Sequence, residues 1–210
     1  MEFSRLTFKE RQRRMAEHLA DVMETSKMGT DPGLRREYSE LPRLPLSIIA
    51  CAMGKSINQG GILRTAEAYR VDEVLYEPED DLKTDFSGGT GAWDWQPFTW
   101  MDPKAAIRHC QDQGKTVYAL SLAPDAIPLH EVHWQFPAAL VLGEEKHGIP
   151  AKTVALCDQC VAIPLYGLVT SLNVATACAL ALQSAVEQYT KQDPDFVPAR
   201  VLSRRLLGLS

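Results

Sequence analysis

Several features are scarce in this 210-residue sequence, and each scarcity removes a class of protein. No apolar run approaches the roughly 18 residues that a membrane-crossing helix needs. The first fourteen residues alternate charged and apolar side chains, which does not build the apolar centre of a secretory leader. The expectation is a cytoplasmic chain without a membrane anchor. The five cysteines, Cys51, Cys110, Cys157, Cys160 and Cys178, are odd in number and sit mostly among apolar neighbours, unlike a secreted disulfide framework. Cys157 and Cys160 form a lone C-x-x-C with no second pair at matching spacing, so no metal site is expected. The net charge of −5 gives no overall basic surface for nucleic acid. No G-x-G-x-x-G follows the first apolar strand and no G-x-x-x-x-G-K-[ST] occurs, which argues against a dinucleotide-binding or P-loop domain. There is no internal repeat.

What remains is an ordinary globular composition, 45% hydrophobic and 23% charged, in a chain long enough to bury a sizeable core. Its charge is uneven. The first fourteen residues carry Arg5, Lys9, Arg11, Arg13 and Arg14 against Glu2 and Glu10. Residues 72 to 81 carry six acids and no base. A basic arm on an acidic body suits local phosphate contact, and equally the solvated face of a helix.

Apolar spacing predicts a helix over 4–28, ended by Gly29, Pro32 and Gly33. A connection rich in proline and charge follows, to Pro45. Strands are expected at 46–53, 73–76, 116–120, 138–142 and 161–164. Helices are expected at 57–69, from Asp102-Pro103 to about Gln113, and over 172–190. Strands alternating with helices indicate an α/β domain with a mostly parallel sheet covered on both faces. The expected organisation is a basic helical extension over 1–45, a catalytic domain over 46–190 and a tail over 191–210.

Three polar, glycine-bearing segments fall just after strands, where open α/β sheets bind ligands. The first runs from Asn58 through Gly60-Gly61 to Arg64-Thr65. Its glycines allow close approach of backbone or an RNA strand, and Arg64 offers a fork for phosphate. The plainer alternative makes Asn58 a helix cap and Arg64 a surface charge. The second, Leu142-Gly143-Glu144-Glu145-Lys146-His147-Gly148, sends a buried strand into two adjacent carboxylates. If buried, each needs a partner, an arginine by preference; otherwise both are exposed in a turn. His147 has the chemistry of a general base, although a lone loop histidine more often faces solvent. The third runs from Ile163 to Val174 and places Ser171 and Asn173 where a loop becomes an apolar helix. Ser171 is either its N-cap or part of a ligand site.

In this order, the three segments resemble the signature motifs of the SpoU (TrmH-like) family of the SPOUT superfamily. The first, N-x-x-[AG]-I-x-R-T, is met by Asn58, Gly61, Ile62, Arg64 and Thr65. The second, G-x-E-x-x-G, is met by Gly143, Glu145 and Gly148. The third, I-P-M-x-G-x-V-x-S-L-N-V, is met by Ile163, Pro164, Gly167, Val169, Ser171, Leu172, Asn173 and Val174, with Leu165 in place of methionine. The stretch from Ser87 to Trp93 resembles, more loosely, a segment of the tRNA-modifying branch. The resemblance covers roughly residues 46 to 185.

It implies an α/β knot fold with a C-terminal trefoil knot, a homodimer, and methyl transfer from S-adenosylmethionine to a ribose 2′-hydroxyl of RNA, tRNA ahead of rRNA. It places the cofactor against Leu142, Gly143, Gly148, Ile163, Leu165, Ser171 and Leu172. Arg64, Asn58, Glu145, Ser171 and Asn173 become the catalytic set, with Glu145 pairing with Arg64. Arg11, Arg13, Arg14 and Arg64 become the RNA contacts. Arg64 is the candidate base, or else stabilises the developing alkoxide, because a guanidinium keeps its proton to a pKa above about 12. A non-catalytic RNA-binding member of the fold is the competing reading.

Overall fold

The computed structural model describes residues 38–39, 41–78, 88–89 and 91–198. The helix expected over 4–28, Arg11, Arg13 and Arg14, and the end of the tail lie outside the described residues. The chain divides into two units, one formed by 43–192 and the other by 1–42 with 193–210. Within the second unit the described segments are short turns, closed by Leu41 N–H to Tyr38 O and Phe196 N–H to Asp193 O.

Among its described residues, unit 43–192 holds seven strands: β1 Leu44–Ala50, β2 Val71–Tyr76, β3 Phe98–Trp100, β4 Thr116–Leu120, β5 Ile127–Pro128, β6 Ala138–Leu142 and β7 Gln159–Ala162. They form one sheet in the order β3-β2-β1-β6-β4-β7-β5, and every pairing is parallel. The helices are α1 Ser56–Ala68, α2 Pro103–Asp112, α3 Ala151–Val154 and α4 Val174–Gln192. Parallel strands need crossovers, and helices supply them, so both faces are covered and the central strands read as unbroken apolar runs. β6, Ala-Ala-Leu-Val-Leu, is buried at every position.

Several element ends differ from the sequence expectation. β1 starts at Leu44 and stops at Ala50 rather than running from 46 to 53, because its paired register with β2 and β6 ends at Ala50. β2 begins at Val71, two residues earlier than its apolar stretch, and β7 occupies 159–162 rather than 161–164. β3 and β5 are additional. They sit at the two sheet edges, and three and two residues are too few to show a period. α2 starts as expected: the Asp102 carboxylate accepts from the N–H groups of Lys104 and Ala105, with Pro103 in the first turn.

Toward the amino ends of the strands lies a polar cluster. Lys115, only 7% exposed, donates from Nζ to Ser47 Oγ at 2.5 Å and Asp72 Oδ2 at 2.7 Å, with Glu73 Oε1 at 3.6 Å. Ser47 in turn donates to Glu73 Oε1 at 3.1 Å. A buried ammonium is tolerable only when so paired.

Below the site, thiols pack rather than react. Burial pushes Cys178 on α4 up to about 12. Burial, then the nearby Glu77 carboxylate, pushes Cys51 up to about 12 as well. Cys157 and Cys160 are half-buried free thiols, and burial pushes Cys157 up to about 12, far from a reactive thiolate.

Candidate functional site

A cavity of about 450 Å³ opens beyond the carboxyl ends of β4, β6 and β7. Its size falls within the range of small-molecule sites. The walls combine apolar side chains, among them Leu120, Leu142, Ile163, Leu165 and Leu172, with the turn Glu144–Gly148 and the loop residues Thr170 and Ser171. All seven residues expected to hold a cofactor line this one space. Residues far apart in the chain meet here because β6 lies beside β4, and β7 on β4's other side, so their ends come together.

The turn after β6 is unusually tight. A Cβ on Gly143 would lie 2.2 Å from Gly148 C and 2.3 Å from Ile149 N, so glycine is required for the backbone to fold back on itself. Gly148 closes the turn with φ +67° and donates its N–H to Glu144 O at 2.8 Å. Both carboxylates are half-buried rather than exposed.

Glu145 accepts from Asn173 Nδ2 and, at 3.4 Å, from Val174 N–H. The same Asn173 Nδ2 donates to Asn58 Oδ1 at 3.0 Å. One residue from each of the three motifs therefore meets in a single chain of hydrogen bonds, Asn58–Asn173–Glu145. The pairing expected between Glu145 and Arg64 is replaced by this contact. The reason lies in helix geometry: Arg64 is six residues on from Asn58, about 120° around α1, so the two face different ways. Asn58 is 3% exposed, whereas Arg64 is exposed.

Asn173 has a second duty. Its Oδ1 accepts from Ala175 N–H at 3.1 Å and Thr176 N–H at 3.3 Å, so Asn173 caps α4. Ser171, for which a cap was the plainer alternative to a ligand-site role, is exposed and lines the cavity. Asn58 is not a cap either, because α1 begins at Ser56. Gly61 serves helix packing rather than RNA approach: a Cβ there would come within 2.9 Å of Ala175 Cβ on α4.

One part of the site escaped sequence reading. Leu120, Ser121, Leu122 and Ala123, at the end of β4, form one wall without any motif, and their only signal was their position after an apolar strand. His147 lies against Glu144, Nδ1 to Oε2 at 2.5 Å, as a pair on the cavity rim. Among the described residues no group of three or more His, Cys, Asp or Glu is placed to hold a metal ion.

Comparison with known proteins agrees with the geometry. The model of the SpoU rRNA Methylase family matches residues 45–183, the span that carries β1, the cavity and most of α4. The chain belongs to this family. Among curated relatives, the tRNA (guanosine(18)-2′-O)-methyltransferase of Escherichia coli K12 is 36% identical over 136 residues, 64% of this chain and 59% of that protein. The chain therefore matches less than two thirds of that relative's length. The Thermus thermophilus protein of the same name is 35% identical over 163 residues, 75% of this chain and 84% of that one. Among solved structures, the TrmH/SpoU tRNA modifying enzyme of A. aeolicus superposes with TM-score 0.70 at 23% identity, covering 82% of this chain and 92% of that one, which establishes a shared fold.

Proposed function

We propose that this SpoU family member transfers a methyl group from S-adenosylmethionine to a ribose 2′-hydroxyl of structured RNA, tRNA in the first instance. The observation that carries the reading is that the second and third motifs line one cavity at the strand ends, and that the Asn58–Asn173–Glu145 hydrogen bonds tie the first motif to them. Relatives whose names specify tRNA ribose methylation support tRNA as the substrate.

The residues present suit the cofactor. Leu142, Ile163, Leu165 and Leu172 offer apolar surface to an adenine ring, while the Gly143 and Gly148 backbone and Ser171 offer polar groups for a ribose. The adjacent carboxylates suit a cation. Bound there, S-adenosylmethionine would supply an electrophilic methyl group on a sulfonium.

The protein's own part is placement and charge. Holding the two reactants in line removes much of the entropic barrier. Asn173, fixed at once by Asn58, Glu145 and the start of α4, keeps the cavity and α1 in register. The positive guanidinium of Arg64 contributes by stabilising negative charge growing on the 2′-oxygen, with the proton leaving to an RNA phosphate or a neighbouring group. Ser171 at the mouth completes the polar rim toward the ribose. Arg11, Arg13 and Arg14 supply phosphate contacts from the N-terminal arm. The family resemblance further supports a homodimer, a trefoil knot in the C-terminal part of the domain and a cytoplasmic location.

The test is transfer of radiolabelled methyl from S-adenosylmethionine to purified total tRNA and, separately, rRNA, with the product nucleoside identified by mass. Label on a ribose 2′-oxygen of tRNA is expected. Label on rRNA alone would move the substrate. Cofactor binding without label in either pool would favour a non-catalytic RNA-binding role.

A further inference from the structure

The Glu144–His147 pair belongs to neither the motif residues nor the hydrogen-bond chain that ties the motifs together. Position 144 and position 147 are the open positions of G-x-E-x-x-G, so nothing in that pattern demands an acid and an imidazole there. Yet His147 Nδ1 approaches Glu144 Oε2 to 2.5 Å, and both residues line the cavity. The neighbouring carboxylate, Glu145, is already occupied by Asn173 and Val174 N–H. Among the described residues, Glu144 is thus the cavity carboxylate whose side-chain partner is an imidazole.

We propose that His147 controls, through its protonation, how strongly Glu144 attracts the positive charge of a ligand in the cavity. The inference rests on the reading of the cavity as an S-adenosylmethionine site, and makes Glu144 and His147 determinants of cofactor affinity. When His147 is protonated, its charge is satisfied by Glu144, and the carboxylate offers little to a second cation. When it is neutral, Glu144 faces the ligand with its full charge. Affinity for a cationic ligand therefore rises as pH rises through the imidazole range.

The surrounding groups leave this pair in control. Among the described residues, the charged or titratable ones lining the cavity are Glu144, Glu145, Lys146 and His147, all on the one turn. The end of β4, the loop after β7 and the start of α4 contribute none to the lining. The segment after β1 packs against Glu144 at Gly54, where a Cβ would lie 3.2 Å from Oε1, and next to it in sequence is the exposed Lys55.

The positive charge on the ligand has two possible sources, the sulfonium and the α-ammonium. S-adenosylhomocysteine retains the second and lacks the first, so it separates them.

The experiment is calorimetric binding of S-adenosylmethionine and S-adenosylhomocysteine to the full chain at pH 5.5 and 7.5. It uses the wild type, His147→Gln and Glu144→Gln, each checked for an unchanged melting temperature at both pH values. The wild type should bind S-adenosylmethionine about threefold more tightly at pH 7.5, the size expected for one partly solvated charge a few ångströms away. His147→Gln should bind tightly at both pH values, and Glu144→Gln weakly at both. A pH effect confined to S-adenosylmethionine supports the proposal with the sulfonium at Glu144, and one shared with S-adenosylhomocysteine supports it with the ammonium there. Undiminished pH dependence in His147→Gln, or wild-type affinity at pH 7.5 in Glu144→Gln, would overturn it. A wild type that binds S-adenosylmethionine at neither pH would overturn the cofactor reading as well, whereas pH-independent tight binding removes only the role of the pair.

Discussion

The two ends of the sheet carry polar clusters of opposite character. Toward the amino ends, Lys115, Ser47, Asp72 and Glu73 satisfy one another, and the ammonium is sealed from water. Toward the carboxyl ends, Glu144, Glu145, His147 and Ser171 surround open space. The first arrangement closes on itself and fixes β1, β2 and β4 together. The second leaves hydrogen-bonding and charge capacity directed into the cavity. In a parallel sheet this asymmetry is expected, because the loops that follow the strands share one edge and are free to vary around a fixed scaffold.

The largest effect is expected at Arg64, an exposed residue of α1 that belongs to neither cluster. Arg64→Ala should lower methyl transfer by roughly 100- to 1,000-fold, the loss typical of one removed charge-stabilising group, with cofactor affinity unchanged in calorimetry. Comparable activity in that variant would remove Arg64 from the chemistry.

Next comes the scaffold of the open end. Gly143→Ala places a methyl group against backbone at 2.2 Å, which cannot yield as a flexible side chain would. Cofactor affinity should fall about tenfold or more, from an overpacking cost of roughly 1–3 kcal/mol, and the melting temperature should drop.

At the closed end the effect should be on stability alone. Lys115→Met keeps the buried stem but leaves Asp72 and Glu73 without their cation. Because those carboxylates are partly exposed, at 44% and 24%, the loss should be only about 1–2 kcal/mol in urea unfolding. Cofactor affinity should not change. A Lys115→Met chain that unfolds normally but loses the cofactor would mean that the two ends are coupled.

The last effect concerns the thiols packed in this unit. Burial raises Cys51, Cys157 and Cys178 to about 12 and Cys110 to about 11, from an ordinary value of 9.0. Above pH 9 the unfolded chain releases protons that the folded chain keeps, so stability is full below that point and declines as pH rises toward 12. Urea midpoints at pH 8, 9 and 10 should fall in that order, and the fall should be shallower in Cys178→Ala.

How much of this was legible in the sequence varies with the distance over which each feature is decided. β6 announced itself as five consecutive apolar residues between Pro137 and Gly143, and α2 by Asp102-Pro103, because burial and capping are local. β3 and β5 are edge strands too short to carry a period, and exist because a neighbouring strand pairs with them. The plainer expectation for Ser171, a helix cap, failed by two residues. Asn173 holds that place with Oδ1 while its amide reaches Asn58, and a cap chosen by a partner 115 residues away cannot be read locally.

The sequence by itself determined the alternation of elements, the three motifs and the chemistry they contain, since residue types and short spacings act locally. Only the tertiary structure decided which of those residues meet. Strand order brought the ends of β4, β6 and β7 around one cavity, helix phase turned Arg64 away from Glu145, and the fold-back at Gly143 set Glu144 beside His147. Such contacts depend on where separate segments lie in space, which no single stretch of chain specifies.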